Sequence, residues 1–203
     1  MPDLTTQPTP NQTSPSFLVG QGISLRSLEL SDLDALWHWF ADYEVIRYSL
    51  SVWLFPYSRH ETQTWLERTI TDKHTLTLGI VERTSGALIG FAGIASISLI
   101  NRSGEYFILI GNKAWWSKGY GTEVTKLVVE YGFATLNLHR VALTVSDVNS
   151  AGVKAYERAG FTREGVLRQA CYRDGQYHDK IVMSILRPEW EARQEETTRS
   201  SRL

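Results

Sequence analysis

Apolar residues recur along this chain with two periods, and the switches between them mark out its elements. Ile23 and Leu25 alternate with Ser24 and Arg26, the period of a strand. Ser31 and Asp32 stand where a helix cap belongs, ahead of Leu33, Leu36, Trp37 and Phe40 at helical spacing. An aromatic loop follows over residues 48–57, and Ser58 caps a second predicted helix carrying Thr62, Trp65 and Leu66. Apolar runs at 76–81 and 87–97 flank Thr84, Ser85 and Gly86, a hairpin signature. A turn at 101–104 leads to a third run at 105–110. The strongest helical pattern covers 119–136, where Val124, Leu127, Val128 and Tyr131 begin a stripe that continues from Phe133 to Leu136. Residues 139–145 read as a strand. Residues 149–159 read as a helix stopped by Gly160. Strands at 161–172 and 177–186 flank the turn at Asp174 and Gly175.

The order is one strand, two helices, three strands, a helix, a strand, a helix and two strands. A strand–helix–strand passage requires a parallel pair, whereas hairpins give antiparallel ones. The expected fold class is therefore α+β (mixed α/β), with a mixed, mostly antiparallel central sheet of about six to seven strands flanked by about four helices. One domain is expected over residues 18–190. Before it lies a Thr-, Pro-, Gln- and Asn-rich tail at 1–17 that reads as disordered, and after it a polar, frayed tail at 191–203.

Composition narrows the function classes. A formal net charge of -1 lacks the basic excess of a nucleic-acid binder. No apolar run approaches the roughly 20 residues that span a bilayer, and the N-terminus lacks the basic start and apolar run of a signal peptide. The expectation is a cytoplasmic protein without nucleic-acid or membrane partners. A single cysteine, Cys171, allows no intramolecular disulfide and no multi-thiolate metal site, and it reads as a small buried hydrophobe. His38, His60, His74, His139 and His178 show no HxxxH or HxH spacing, so no metal is expected.

Candidate chemistry concentrates between residues 105 and 161. A strand passes through Trp115, Trp116, Ser117, Lys118, Gly119, Tyr120, Gly121 and Thr122 into the long helix. Two glycines at such a junction let backbone amides converge without Cβ obstruction, and a helix start offers unpaired N–H groups and a positive dipole end. With Lys118 as countercharge, this can hold phosphate. A Walker loop is excluded because the Lys precedes the glycines. A dinucleotide fingerprint is excluded because Val124 fills its third small position. Taken alone, the loop remains equally open to being a helix entry with no ligand.

A second segment follows the next strand: Asn149, Gly152, Tyr156, Gly160 and Phe161 spell N-x-x-A/G-x-x-x-Y-x-x-x-G-F. The two segments in this order resemble the GNAT superfamily of N-acetyltransferases, over about residues 23–190. Tyr131-Gly132-Phe133, the run Leu136-Asn137-Leu138-His139-Arg140, Glu164-Gly165 with Arg168, and Asp174-Gly175-Gln176-Tyr177 with Asp179 look like the branch holding ribosomal-protein alanine and spermidine acetyltransferases. That family usually places Gln or Arg three residues before the first glycine. Here Trp116 stands there, so the amides remain and that side chain does not.

The resemblance implies a splayed sheet with acetyl-CoA as co-substrate. The pantetheine arm would pair with the backbone of Leu109, Ile110 and Gly111. The diphosphate would sit on amides from Trp116, Ser117, Lys118, Gly119, Tyr120, Gly121 and Thr122. Asn149, Ser150 and Ala151 would touch the cofactor further on, and Arg158 its adenosine phosphate end. Dimers are common among similar proteins, which brings a homodimer into view.

The reaction sets further requirements. A free alkyl amine has a pKa near ~10, so about one molecule in a thousand is neutral at pH 7, a deficit of about 4 kcal/mol. Glu105 is the candidate base, directly or through one water, and a solvated strand-start carboxylate is its alternative reading. Tyr156 resembles the family's general acid toward the departing thiolate; its alternative reading is a core aromatic. A backbone N–H, that of Ile110 being one candidate, would stabilise the oxyanion. Tyr48, Trp53, Phe55, Tyr57, Tyr172 and Tyr177 either line an acceptor pocket or, as the plainer reading has it, pack helices on the sheet. Asp179 and Glu44 are candidates for attracting a cationic acceptor. The function expected is transfer of acetyl to a primary amine of a protein N-terminus, a polyamine or a small metabolite. The alternative is a non-catalytic acyl-CoA-binding module, which needs neither Glu105 nor Tyr156.

Overall fold

Strand β2 (Ile23–Ser27) reads as half-buried from its alternation, yet it is covered on both faces. Ile23 and Leu25 enter the core. Arg26 is buried on the other face, where Asp32 grips it through two hydrogen bonds of 2.8 and 2.7 Å. This corrects the predicted cap. Asp32 does precede α1 (Leu33–Ala41), but its carboxylate serves Arg26 and the Glu29 N–H and makes no cap hydrogen bond to the helix. Taking a guanidinium out of water demands a paired anion, and that demand outranks a cap. Ser58 caps α3 (Arg59–Thr71) as expected, in a reciprocal box with Glu61.

This computed structural model describes residues 14–48 and 54–200. The remaining elements in chain order are β1 (Leu18–Val19), α2 (Tyr43–Ile46), β3 (Leu76–Glu82), β4 (Leu88–Ser98), β5 (Ser103–Ile110), α4 (Tyr120–Ala134), β6 (Arg140–Ser146), α5 (Ser150–Ala159), β7 (Thr162–Arg173), β8 (Gln176–Leu186) and α6 (Arg187–Ser200). The eight strands form one sheet in the order β1-β2-β3-β4-β5-β6-β8-β7. The mixed, mostly antiparallel sheet was expected; β1, α2 and α6 were not. None of the three carries a long apolar period, and α6 is held in part by Trp190, whose ring lies 5.5 Å from that of Phe133.

Apolar residues sort the two faces of the sheet. Tyr106, Val141, Leu143, Val145 and Met183 pack with Val124, Val128 and Phe133 of α4 and Val153 of α5. On the other face Phe91 and Leu109 pack with Leu36, Phe40 and Leu66 of α1 and α3. Among the described residues every strand pair is antiparallel except β5–β6, which is parallel and short. It runs from Ser103↔Arg140 to Glu105↔Ala142 and stops. Beyond Glu105, β5 stays paired to β4 as far as Ile110, and β6 stays paired to β8 as far as Ser146. The two strands therefore part inside an intact sheet, as the splayed expectation requires.

Two carboxylates tie the ends of this sheet and set its response to acid. Glu82 accepts from the N–H groups of Thr84 and Ser85 and from the Ser85 hydroxyl, which pulls its pKa from 4.5 to about 2. Glu164 meets the Arg140 guanidinium and the Ser184 hydroxyl, with the same fall from 4.5 to about 2. A folded-state pKa below the unfolded one gives stability that is present above 4.5 and lost as pH falls toward 2. The urea midpoint is expected to drop steadily through that window. A Glu82→Gln variant should start lower at neutral pH and fall less, and an unchanged slope would remove Glu82 from the account.

Candidate active site

The parting of β5 and β6 opens a cavity of about 350 Å³. Its walls come from both faces of the sheet. Glu105 and Phe107 of β5, Thr144 and Ser146 of β6, Trp65 and Thr69 of α3, and Asp72, Thr75 and Thr77 line it, together with Tyr106, Leu143 and Tyr156 from the α4/α5 side. Glu105 and Tyr156 thus share one cavity while belonging to opposite faces.

Tyr156 is half-buried, its ring 6.0 Å from Tyr106 and 6.1 Å from Phe161. Among the described residues its hydroxyl has no hydrogen-bond partner. Removal from water disfavours the phenolate and pushes its pKa up to about 12. Tyr106 is buried and raised well above 10, first by desolvation and next by the neighbouring Tyr156; its hydroxyl is paired with Thr125 Oγ1 at 2.9 Å. Thr125 in turn donates to the Gly121 carbonyl at 2.6 Å. This chain of contacts fixes the ring against which Tyr156 rests and ties it to the start of α4.

The glycine loop passes twice through left-handed backbone before α4. Ser117 (φ 59°) and Gly119 (φ 85°) are both left-handed, and Gly119 is the N-cap of α4 without any side-chain cap. The Trp116 N–H goes to the Lys113 carbonyl, and those of Thr122 and Glu123 go to the Gly119 carbonyl. Among the described residues the N–H groups of Ser117, Lys118, Gly119, Tyr120 and Gly121 have no acceptor. Orphan donors at a helix start are the feature that binds anions. A Cβ built at Gly119 meets nothing within 4 Å, so the approach to these donors is open. Lys118 lies beside them, its ammonium 4.4 Å above the Trp115 ring. Gly121 faces Ile110 and Ala155, with its would-be Cβ 3.8 and 3.9 Å from their side chains. Loop, β5 end and α5 therefore converge next to Tyr156.

Other expected site residues are placed differently. The Trp116 indole donates to the Ile110 carbonyl at 2.8 Å, so the side chain standing in for Gln or Arg braces β5. The Gly111 N–H is committed to the Ile89 carbonyl at 2.9 Å, which leaves its carbonyl as the group it can offer a ligand. Leu109 packs its side chain under α1 and α3. Asn149 caps α5, its Oδ1 accepting from the Gly152 N–H at 3.0 Å. Ser150, Ala151 and Arg158 are exposed on α5, outside the cavity lining.

The acceptor candidates divide. Tyr48 lines the cavity. Tyr57 packs against Phe40, Phe55 is exposed, and the rings of Tyr172 and Tyr177 meet edge to face with centroids 4.9 Å apart. Trp53 lies outside the described residues. Glu44 is paired to Lys113 at 2.8 Å. The Asp179 carboxylate accepts the Gln169 N–H at a β7 irregularity. Cys171 is buried, its thiol 3.5 Å from Ser146 Oγ. The cavity wall holds three charged groups the sequence did not single out, Asp72, Arg173 and Lys180. No local motif marks them, because the long-range pairing of β8 to β6, with β7 on its other edge, brings two of the three in.

Among the described residues no helix is long and apolar enough to cross a membrane, and no group of three or more His, Cys, Asp or Glu is placed to hold a metal.

Comparison with known proteins gives the family. The model of the acetyltransferase (GNAT) domain matches residues 23–162. A Bacillus subtilis N-acetyltransferase, YoaA, is 31% identical over 176 residues, covering 81% of this chain and 93% of that protein. The Vibrio cholerae spermidine N(1)-acetyltransferase is 34% identical over 116 residues, covering 57% of this chain and 66% of that enzyme. A crystal structure of the Vibrio cholerae spermidine N-acetyltransferase in complex with CoA and spermine superposes with a TM-score of 0.75 at 28% identity, covering 84% of this chain and 99% of that one.

Proposed function

The chain belongs to the GNAT acetyltransferase family, and on that premise we propose that it moves the acetyl group of acetyl-CoA onto a primary amine, with Glu105 and Tyr156 acting from opposite mouths of the β5–β6 gap. It is an acyltransferase that uses acetyl-CoA. The observation that carries the residue-level reading is the end of β5–β6 pairing at Glu105↔Ala142, which opens a passage between the two faces. The orphan amides from Ser117 to Gly121 receive the diphosphate at the α4 end. The backbone of β5 beyond Glu105 meets the pantetheine arm in the gap. Asn149, as the α5 cap, orients the neighbouring helix start.

On the α1/α3 side, Glu105 takes the proton from the incoming ammonium through one water, which supplies the neutral amine that solution provides only sparsely. Tyr156 faces the sulfur from the α4/α5 side. Because its pKa is pushed up to about 12, it stays protonated across working pH. A phenol that weak is a poorer acid than the ~8.5 thiol it serves. It therefore stabilises the leaving sulfur by donating a hydrogen bond while keeping its own proton, and the thiolate, the weaker base, leaves as the anion.

The test is thiol release from acetyl-CoA against polyamines, amino acids, aminoglycosides and N-terminal peptides. Release with an amine, and a matching acetylated product, is expected. Binding of acetyl-CoA without turnover of any amine would favour the non-catalytic module. Glu105→Gln should lower kcat about tenfold at pH 7 while leaving acetyl-CoA binding unchanged, since water replaces an exposed base in part. That deficit should shrink as pH rises toward the amine's own pKa. A deficit independent of pH would mean that Glu105 is not the proton acceptor.

A further inference from the structure

The charges in the cavity wall speak to the acceptor. Among the described residues two carboxylates line it, Asp72 and Glu105, and so do two cations, Arg173 and Lys180. Asp72 is occupied at the α3 end, where its Oδ1 accepts the His74 N–H at 2.7 Å. Arg173 is buried, with Nε donating to the Arg47 carbonyl at 2.6 Å and Nη1 to the Tyr172 carbonyl at 2.7 Å. Its charge is held in place as part of the wall. Lys180 differs: it is half-buried, and among the described residues its ammonium has neither a hydrogen-bond nor an ion-pair partner.

Sheet register fixes where Lys180 points. Ile181, Met183 and Ile185 of β8 enter the core under α4 and α5, so Lys180 belongs to the opposite face. Lys180 is paired across β8–β6 with Ser146, itself a lining residue. Glu105 lies on the same α1/α3 face, across the gap from it. The acceptor side therefore presents one carboxylate on the β5 wall and one unpaired ammonium on the β8 wall. A diamine or polyamine would bring two or more positive charges into a wall whose own charges already balance. An amine that also carries an anion would satisfy both sides at once, because a desolvated ammonium gains most from a charged partner.

We propose that the acceptor is an amine bearing a second, anionic group, carboxylate or phosphate, which Lys180 binds while the amine faces Glu105. This rests on the acetyl transfer proposed above and names the substrate class of that site.

The experiment compares matched acceptors by kcat/KM with saturating acetyl-CoA: alanine against alaninamide for the carboxylate arm, phosphoethanolamine against ethanolamine for the phosphate arm, and spermidine as the polycation. At least one anionic member should exceed its neutral partner and spermidine about tenfold or more, and the arm that does so tells carboxylate from phosphate. Lys180→Gln should erase that advantage and Lys180→Arg should retain most of it. Lys180→Glu should turn the preference toward spermidine, with all three variants unfolding at the wild-type temperature within a few degrees. Equal rates within both pairs, a preference for spermidine in the wild type, a preference that survives Lys180→Gln, or acetyl-CoA binding with no acceptor acetylated would overturn the proposal. Failure to bind acetyl-CoA at all would instead overturn the acetyltransferase reading beneath it.

Discussion

Replacing Gly119 with glutamate is expected to weaken coenzyme A binding at least about a hundredfold, with the unfolding temperature lowered by about 2–8 °C through backbone strain. Two effects add. Gly119 sits at φ 85°, where a side chain costs about 1–2 kcal/mol of backbone strain. The new carboxylate would also stand before the orphan N–H groups of Ser117 to Gly121, which it would occupy itself while repelling a diphosphate. Gly119→Ala separates the two. Its Cβ meets nothing within 4 Å, so it brings strain without charge and should weaken binding by about tenfold or less. Isothermal calorimetry reads both variants. Wild-type affinity in Gly119→Glu would place the diphosphate elsewhere.

Tyr156→Phe is expected to lower kcat about a hundredfold to a thousandfold, with the KM for acetyl-CoA nearly unchanged. Phenylalanine keeps the ring contacts with Tyr106 and Phe161 and removes only a hydroxyl that has no partner among the described residues. The fold should therefore be untouched, and the loss should appear in the chemical step. Since the phenol pKa is about 12, Tyr156 should contribute no alkaline limb to the kcat profile below about pH 11. Pre-steady-state thiol release measures this. A variant as fast as the wild type would make Tyr156 a core aromatic.

Both expectations start from residues that were visible in the sequence, and the reason is local. α4 declares itself through the stripe of Val124, Val128 and Phe133, and the glycine loop must immediately precede it. The α5 motif is likewise contiguous. What depends on distant pairing was not legible. Nothing near Lys180 says that β8 inserts between β6 and β7, yet that insertion brings its ammonium to the cavity. Asp32 looks like a cap until Arg26 is seen to be buried beside it. Trp116 departs from the family pattern, and its indole supports the Ile110 carbonyl, a role set by how the chain turns after β5. α6 escaped notice because it is polar nearly throughout and leans on the domain through Trp190. The parting of β5 and β6 could be expected from the family resemblance, whereas its origin at Glu105↔Ala142 required the register.

In the proposed function the gap beyond Glu105 takes the thioester arm and the amides at the start of α4 take the diphosphate. A crystal structure of the protein with coenzyme A tests it most directly. Pyrophosphate oxygens are expected within hydrogen-bond distance of N–H groups between Ser117 and Gly121, the arm between β5 and β6, and the sulfur beside the Tyr156 hydroxyl. A ligand bound outside that gap, or a gap closed by β5–β6 pairing beyond Glu105, would contradict it.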